Sequence, residues 1–193
     1  MRGLLFTELF AMVDAHHPPE LLERVIDAAH LPNGGAYTAV GNYPAAEMTR
    51  LVQCLGHQTG QPLPDLLQGF GHHLYGRFLA DHAEFFDPAQ DALTLLESVD
   101  QHIHVEVRKL YPAAELPVFL CHRPTPDSLV MLYRSPRALA DLAEGLIRSC
   151  ITHYGRPYSV EREDLSGGAG TEVRFTLRPT MAATSSDQTP AHE

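Results

Sequence analysis

The sequence predicts an α+β fold: a helical N-terminal subdomain followed by an antiparallel sheet with inserted helices. Three observations carry this prediction. Apolar residues recur at helical spacing from residue 4 to residue 110. Past Pro112 the texture changes to short β-rich runs separated by turn residues. The chain has 193 residues, 44% hydrophobic and 20% charged, which suits one domain with a proper core.

Leu4, Leu5, Leu9, Met12 and Val13 form the first helical stripe, starting almost at Met1. Pro18-Pro19 stops that helix and opens the next, with Leu21, Leu22, Val25, Ile26 and Ala29 on one face. Residues 31–43 carry turn chemistry and read as a loop. Pro44 opens a third helix (Met48, Leu51, Val52, Leu55), and a shorter one is expected over residues 64–79. Residues 83–90 are irregular. Residues 91–111 read as one continuous helix, with Ala92, Leu95, Leu96, Val99, Ile103, Val107 and Leu110 in its stripe. PVFLCHR and DSLVMLYR then form a hairpin around Pro124-Thr125-Pro126-Asp127. Ser135-Pro136 supplies an N-cap and first-turn pair for a helix that runs to Tyr154 and stops at Gly155. Strands at residues 158–162 and 172–177 flank the Ser166–Gly170 turn. A domain over residues 1–178 is expected, with a disordered tail over 179–193 that lacks apolar periodicity. There is no internal repeat.

Composition narrows the function. With 14 Lys+Arg against 24 Asp+Glu, the net charge of −10 argues against a nucleic-acid or anionic-membrane partner. Three scattered cysteines (Cys54, Cys121, Cys150) make no disulfide framework, and neither CxxC nor CxxCH occurs. Thr7 and Glu8 interrupt the N-terminal apolar run, so it reads as neither a signal peptide nor a membrane span. A cytoplasmic location is expected. No HExxH, GxSxG, P-loop or GxGxxG is present, and Gly167-Gly168-Ala169-Gly170 reads as a hairpin tip. Histidine is the outlier at twelve residues, which matters because imidazole titrates near neutrality and ligates metals.

Two constellations carry chemistry. In DQHIHVEVRKLYP, His102 and His104 lie about 200° apart on a helix, so at most one can enter a given pocket. The alternative is a strand, which would put both on a solvated face. In Tyr133-Arg134-Ser135-Pro136-Arg137, alternate residues offer a phenol, a hydroxyl and a guanidinium beside a helix start. Such a set, with free backbone N–H groups, suits a carboxylate. The alternative is an ordinary strand end with a Ser-Pro cap. The pairs His16-His17 and His72-His73, and Cys54-x-x-His57, are weaker: adjacent histidines diverge on a helix, and the Cys-His spacing has no companion.

Taken together, MRGLLF, HVEVRKLYP, LPVF and YRSPR over residues 1–178 resemble the haem nitric oxide/oxygen-binding (H-NOX) family. The resemblance implies haem b buried between the helical and sheet halves. It assigns His104, eight residues before Pro112, as the proximal iron ligand, with His102 second, and Tyr133, Ser135 and Arg137 as holders of the propionates. Pro117 becomes the proline that presses on the haem, Leu5 and Leu146 become haem contacts, and Leu142, Leu74 and Phe78 the ligand pocket. Oxygen-binding members carry a tyrosine where Leu142 stands, so NO and CO binding without a stable O2 complex is implied. The cysteines that hold a structural zinc in some members are missing, so no zinc is expected. The resemblance further implies a sensor rather than an enzyme, signalling in trans to a histidine kinase or a cyclic-di-GMP enzyme. The rivals are a haem carrier without a signalling role and a His-rich metal-dependent enzyme.

Overall fold

Proline and glycine punctuate the helical half where the sequence puts them. The computed structural model describes residues 1–112 and 114–180, and only the backbone of Leu110. Helix α1 (Gly3–His16) ends before Pro18, and α2 (Pro19–Ala29) starts on a proline whose missing N–H would have had no helical partner anyway. Helix α3 (Ala45–Thr59) follows Pro44 and closes at Gly60, in the left-handed region at φ 71°. Helix α4 (Leu63–Asp81) has 19 residues, where the sequence predicted a shorter element. Its several glycines weaken it on propensity; packing against a later helix sustains it.

The expected continuous helix over residues 91–111 is three pieces. Asp91 caps α5 (Ala92–Ser98) by accepting the Thr94 N–H at 2.8 Å. A π turn, Val99–Ile103, follows, and α6 (His104–Leu110) continues from it. The wider turn absorbs one extra residue while the apolar stripe runs on, so periodicity alone could not reveal it.

Strands β1 (Val118–His122), β2 (Leu129–Arg134), β3 (Tyr158–Asp164) and β4 (Glu172–Pro179) form one antiparallel sheet in the order β1-β2-β4-β3. The predicted α+β layout is what the structure holds. Helix α7 (Ala140–Tyr154) connects β2 to β3 and covers the inner sheet face. There Leu129, Met131 and Tyr133 pair in register with Leu177, Phe175 and Val173, all buried. The β4 strand extends to Pro179, and Thr180 donates to the Pro157 carbonyl, so regular structure passes the expected boundary at 178. The rest of the expected tail, 181–193, lies outside the described residues.

Ser135-Pro136 does not start α7. The Ser135 hydroxyl instead takes the Arg137 N–H at 3.2 Å, Ala138 turns into the left-handed region at φ 53°, and the helix begins at Ala140. That conformation costs a non-glycine residue about 1–3 kcal/mol. The Tyr133 hydroxyl offsets it by accepting the Leu139 N–H at 3.1 Å, which fixes the residue just before the helix from the strand.

Two apolar cores result. One joins the sheet to α5 and α7; the other lies among α1–α4 and includes Phe6, Leu9, Leu51, Phe70, Leu74 and Leu142. Leu146 packs against both. The loop 31–43 contributes too, with Tyr37 stacked on Phe6 at 4.3 Å. Helices α4 and α7 cross so closely that a Cβ on Gly71 would overlap the Leu142 carbonyl, and one on Gly145 the Gln68 carbonyl.

This crossing predicts opposite outcomes for two glycines. Gly145→Ala should destabilise by about 1–3 kcal/mol through overpacking, seen as a thermal midpoint lower by roughly 2–4 °C per kcal/mol. Gly69, on the open side of α4, meets nothing within 4 Å. Gly69→Ala should therefore stabilise by about 0.8–1 kcal/mol. Equal responses in thermal melts would contradict the close crossing.

Candidate functional site

The π turn delivers His104 to the first position of α6 and turns its ring inward. The side chain is 12% exposed, while His102 two residues earlier is exposed. Residues 102–107 are helical, which removes the strand alternative. Nδ1 of His104 lies 3.1 Å from Oδ1 of Asp100, one turn earlier. With a carboxylate as partner, Nδ1 is the donor and the lone pair falls on Nε2. Burial pushes the imidazole below its ordinary pKa, outweighing the opposing pull of Asp100 and of the Pro117 backbone. The ring is thus neutral near pH 7, the form in which imidazole ligates a metal.

Phe119 on β1 stands beside it, 6.0 Å from the His104 ring and 5.6 Å from the Tyr133 ring. It links the histidine to the 133–137 corner; the sequence carried it as the last residue of LPVF and gave it no role of its own. Half-buried Pro117 leads into that strand.

Tyr133, Ser135 and Arg137 lie at one corner, where β2 ends. Tyr133 is 1% exposed, Ser135 is buried, and Arg137 is largely covered. Burial pushes the Tyr133 phenol upward, opposed by Ser135, by the Leu139 N–H and by the charge of Arg137. The helix start expected at Ser135-Pro136 is a correction: the Arg137 and Leu139 N–H groups there are taken by the Ser135 and Tyr133 oxygens, and the first turn of α7 begins at Ala140. Arg137 grips the Glu115 carboxylate at 2.5 Å and its carbonyl at 2.5 Å. The guanidinium lowers the Glu115 carboxyl from its ordinary pKa. The amino group of Met1 is close enough to feel both charges.

The pocket candidates belong to the helical core. Leu74 and Leu142 are buried, with Phe78, Leu5 and Leu146 partly so. Phe6, Leu9 and Phe70 share that cluster and carried no mark beyond apolar character. None of these side chains offers a hydrogen-bond donor. Shallow surface grooves lie elsewhere, on the outer sheet face at Leu120 and Leu132, and between α4 and α7 at Gln68 and His72.

Other histidines bond within the protein. His73 bonds the buried Glu8 carboxylate at 2.9 Å, which Arg77 also reaches at 3.2 Å, pinning α1 to α4. His72 bonds Ser149 at 2.9 Å and His57 its own helix at the Gln53 carbonyl. Among the described residues, no three His, Cys, Asp or Glu side chains come together to hold an ion. Nor, among them, is any helix long and apolar enough to cross a membrane.

The family model described as haem-NO-binding matches residues 2–162. The chain is similar to the unliganded Fe(II) H-NOX protein of K. algicida at 32% identity, TM-score 0.90, over 95% of this chain and 98% of that one. It is similar to the Shewanella woodyi H-NOX in its Fe(II)CO ligation state at 32% identity, TM-score 0.79, over 93% and 95%. The S. oneidensis H-NOX in the Fe(II)NO ligation state, at 23% identity and TM-score 0.85 over 94% and 100%, shares the fold. No curated protein sequence matches it.

The depressed pKa of His104 has a sign that can be checked. Above its ordinary pKa near 6.5 the ring is neutral both folded and unfolded. Below that value the unfolded chain binds a proton that the folded one resists. Haem-free protein should therefore lose stability as pH falls from 6.5 towards the folded pKa, and His104→Gln should flatten that slope in denaturant melts. An unchanged slope would contradict a buried, neutral ring.

Proposed function

The chain belongs to the haem-NO-binding (H-NOX) family, and on that premise we propose that it is a nitric oxide sensor. His104 holds the iron of haem b, and Tyr133, Ser135 and Arg137 hold the propionates. The observation that carries this reading is His104 itself: a shielded, neutral imidazole with Nδ1 committed to Asp100. The donor chemistry fits the group. Arg137 already grips a carboxylate, that of Glu115, as it would grip a propionate. Phe119 lies between the histidine and that corner, the Pro117 backbone lies beside the histidine, and Leu5 and Leu146 supply further apolar contacts.

When bound, haem would be held by His104 and by Tyr133, Ser135 and Arg137, and its ferrous iron would supply the site at which NO or CO binds. The protein's part is selection and transmission. Stable retention of O2 calls for a hydrogen-bond donor on the distal wall, and Leu142, Leu74 and Phe78 present none. NO and CO need no such donor, so this pocket favours them. His104 is the first residue of α6 and directly follows the π turn, so a ligand-dependent hold on it would bear on both elements, and Pro117, just before β1, would press on the bound group. Such a hold would make the helical half and the sheet a two-state element biased by a ligand. The output passes in trans, to a histidine kinase or a cyclic-di-GMP enzyme in the cytoplasm. A haem carrier would share the site but change no partner's activity when NO is added.

Two substitutions test the reading. His104→Gly should retain haem only with added imidazole; full haem loading and unaltered ligand spectra without imidazole would overturn the ligand assignment. Leu142→Tyr should bring a measurable oxy spectrum in air, whereas the unsubstituted protein should show none. A long-lived oxy complex in the unsubstituted protein would contradict the apolar-wall account.

A further inference from the structure

The carboxylate behind His104 is shared. Asp100 is the second residue of the π turn and His104 the residue that follows it. The carbonyl of Val99 takes the His104 N–H, closing the wide turn, and the same turn sets Asp100 Oδ1 3.1 Å from Nδ1. That same Oδ1 lies 3.7 Å from the guanidinium of Arg108, one turn further along α6. Among the described residues, Arg108 is the one guanidinium or ammonium group within ion-pair distance of Asp100. The other cation on this side, Arg123, is committed to Glu97 at 2.7 Å. Asp100 and His104 are both mostly shielded, at 26% and 12% exposure, whereas Arg108 is 40% exposed. The charge of Asp100 also reaches β1, where it adds to burial and to Glu97 in pushing the Cys121 thiol to about 11.

We propose that Asp100 is a positioning residue that fixes which nitrogen of His104 faces the iron and how strongly it donates, and that Arg108 moderates it through the same oxygen. The inference rests on His104 being the iron ligand. A carboxylate accepting Nδ1–H draws the imidazole towards imidazolate and strengthens the bond made by Nε2. A guanidinium on that oxygen withdraws charge from it and weakens the pull. Removing one or the other should therefore shift the iron–histidine bond in opposite directions, which a merely structural pair would not do.

The test is resonance Raman of the reduced, haem-loaded protein, reading the iron–histidine stretch. Asp100→Asn should lower the frequency and Arg108→Gln should raise it. Asp100→Ala should speed haem loss by about 10–100-fold. A second measurement needs no haem: nitrogen NMR of the haem-free protein should show the His104 proton on Nδ1, and Asp100→Ala should shift it towards Nε2. Should Asp100 variants fail to fold, the exposed Arg108→Gln still carries a signed prediction. A stretch present but unmoved by both substitutions would overturn this proposal and leave His104 as ligand. The absence of any iron–histidine stretch from protein that binds haem would instead overturn the ligand assignment on which it rests.

Discussion

A neutral imidazole withheld from water is the condition on which the rest depends. A protonated histidine cannot ligate a metal, and an exposed one can protonate or swing away. Here burial and the π turn do separate parts of one task. Burial keeps the ring neutral, and the turn supplies the carboxylate that orients it. Neither would suffice alone, because desolvation without a partner leaves an unsatisfied buried N–H. Phe119 then ties this histidine to Tyr133, so the nitrogen donor and the carboxylate-gripping corner lie on two sides of one aromatic ring.

Position in the fold explains how a change at His104 can travel. The two apolar cores meet at α4 and α7, where two glycines let the helices approach to backbone contact and Leu146 packs into both. Interdigitated packing of this kind does not deform smoothly; it moves between discrete arrangements. The helical half is held further by the Glu8–His73–Arg77 cluster, which spans α1 and α4 away from the candidate ligand. Arg2, just before α1, stacks over Tyr111, just after α6, at 4.1 Å. The N-terminus and the end of the histidine helix are thus in direct contact.

Much of this was legible in the sequence, and the parts that were not share a physical reason. Apolar periodicity and proline placement located the helices, because burial and missing N–H groups act locally. Tyr133 ends on the inner face of β2, and the turn in which Ser135 accepts the Arg137 N–H folds the other two residues of YxSxR back beside it. The π turn stayed hidden because one inserted residue hardly disturbs an apolar stripe. The delayed start of α7 stayed hidden because Tyr133, across the turn, fixes the Leu139 N–H just before the helix, whereas Ser135-Pro136 looked like a local signal. The length of α4 depended on its fit against α7, a tertiary effect that outweighs its glycines. Asp100 could have been noticed from its i, i+4 spacing to His104, but only the structure separates that pair from the many surface pairs with the same spacing.

The most direct measurement is a crystal structure of the purified, haem-loaded protein in the reduced state. The account predicts Nε2 of His104 bonded to iron and a propionate on Arg137 in place of the Glu115 carboxylate. Iron held by another residue, or a porphyrin seated away from Phe119 with Arg137 still on Glu115, would contradict it.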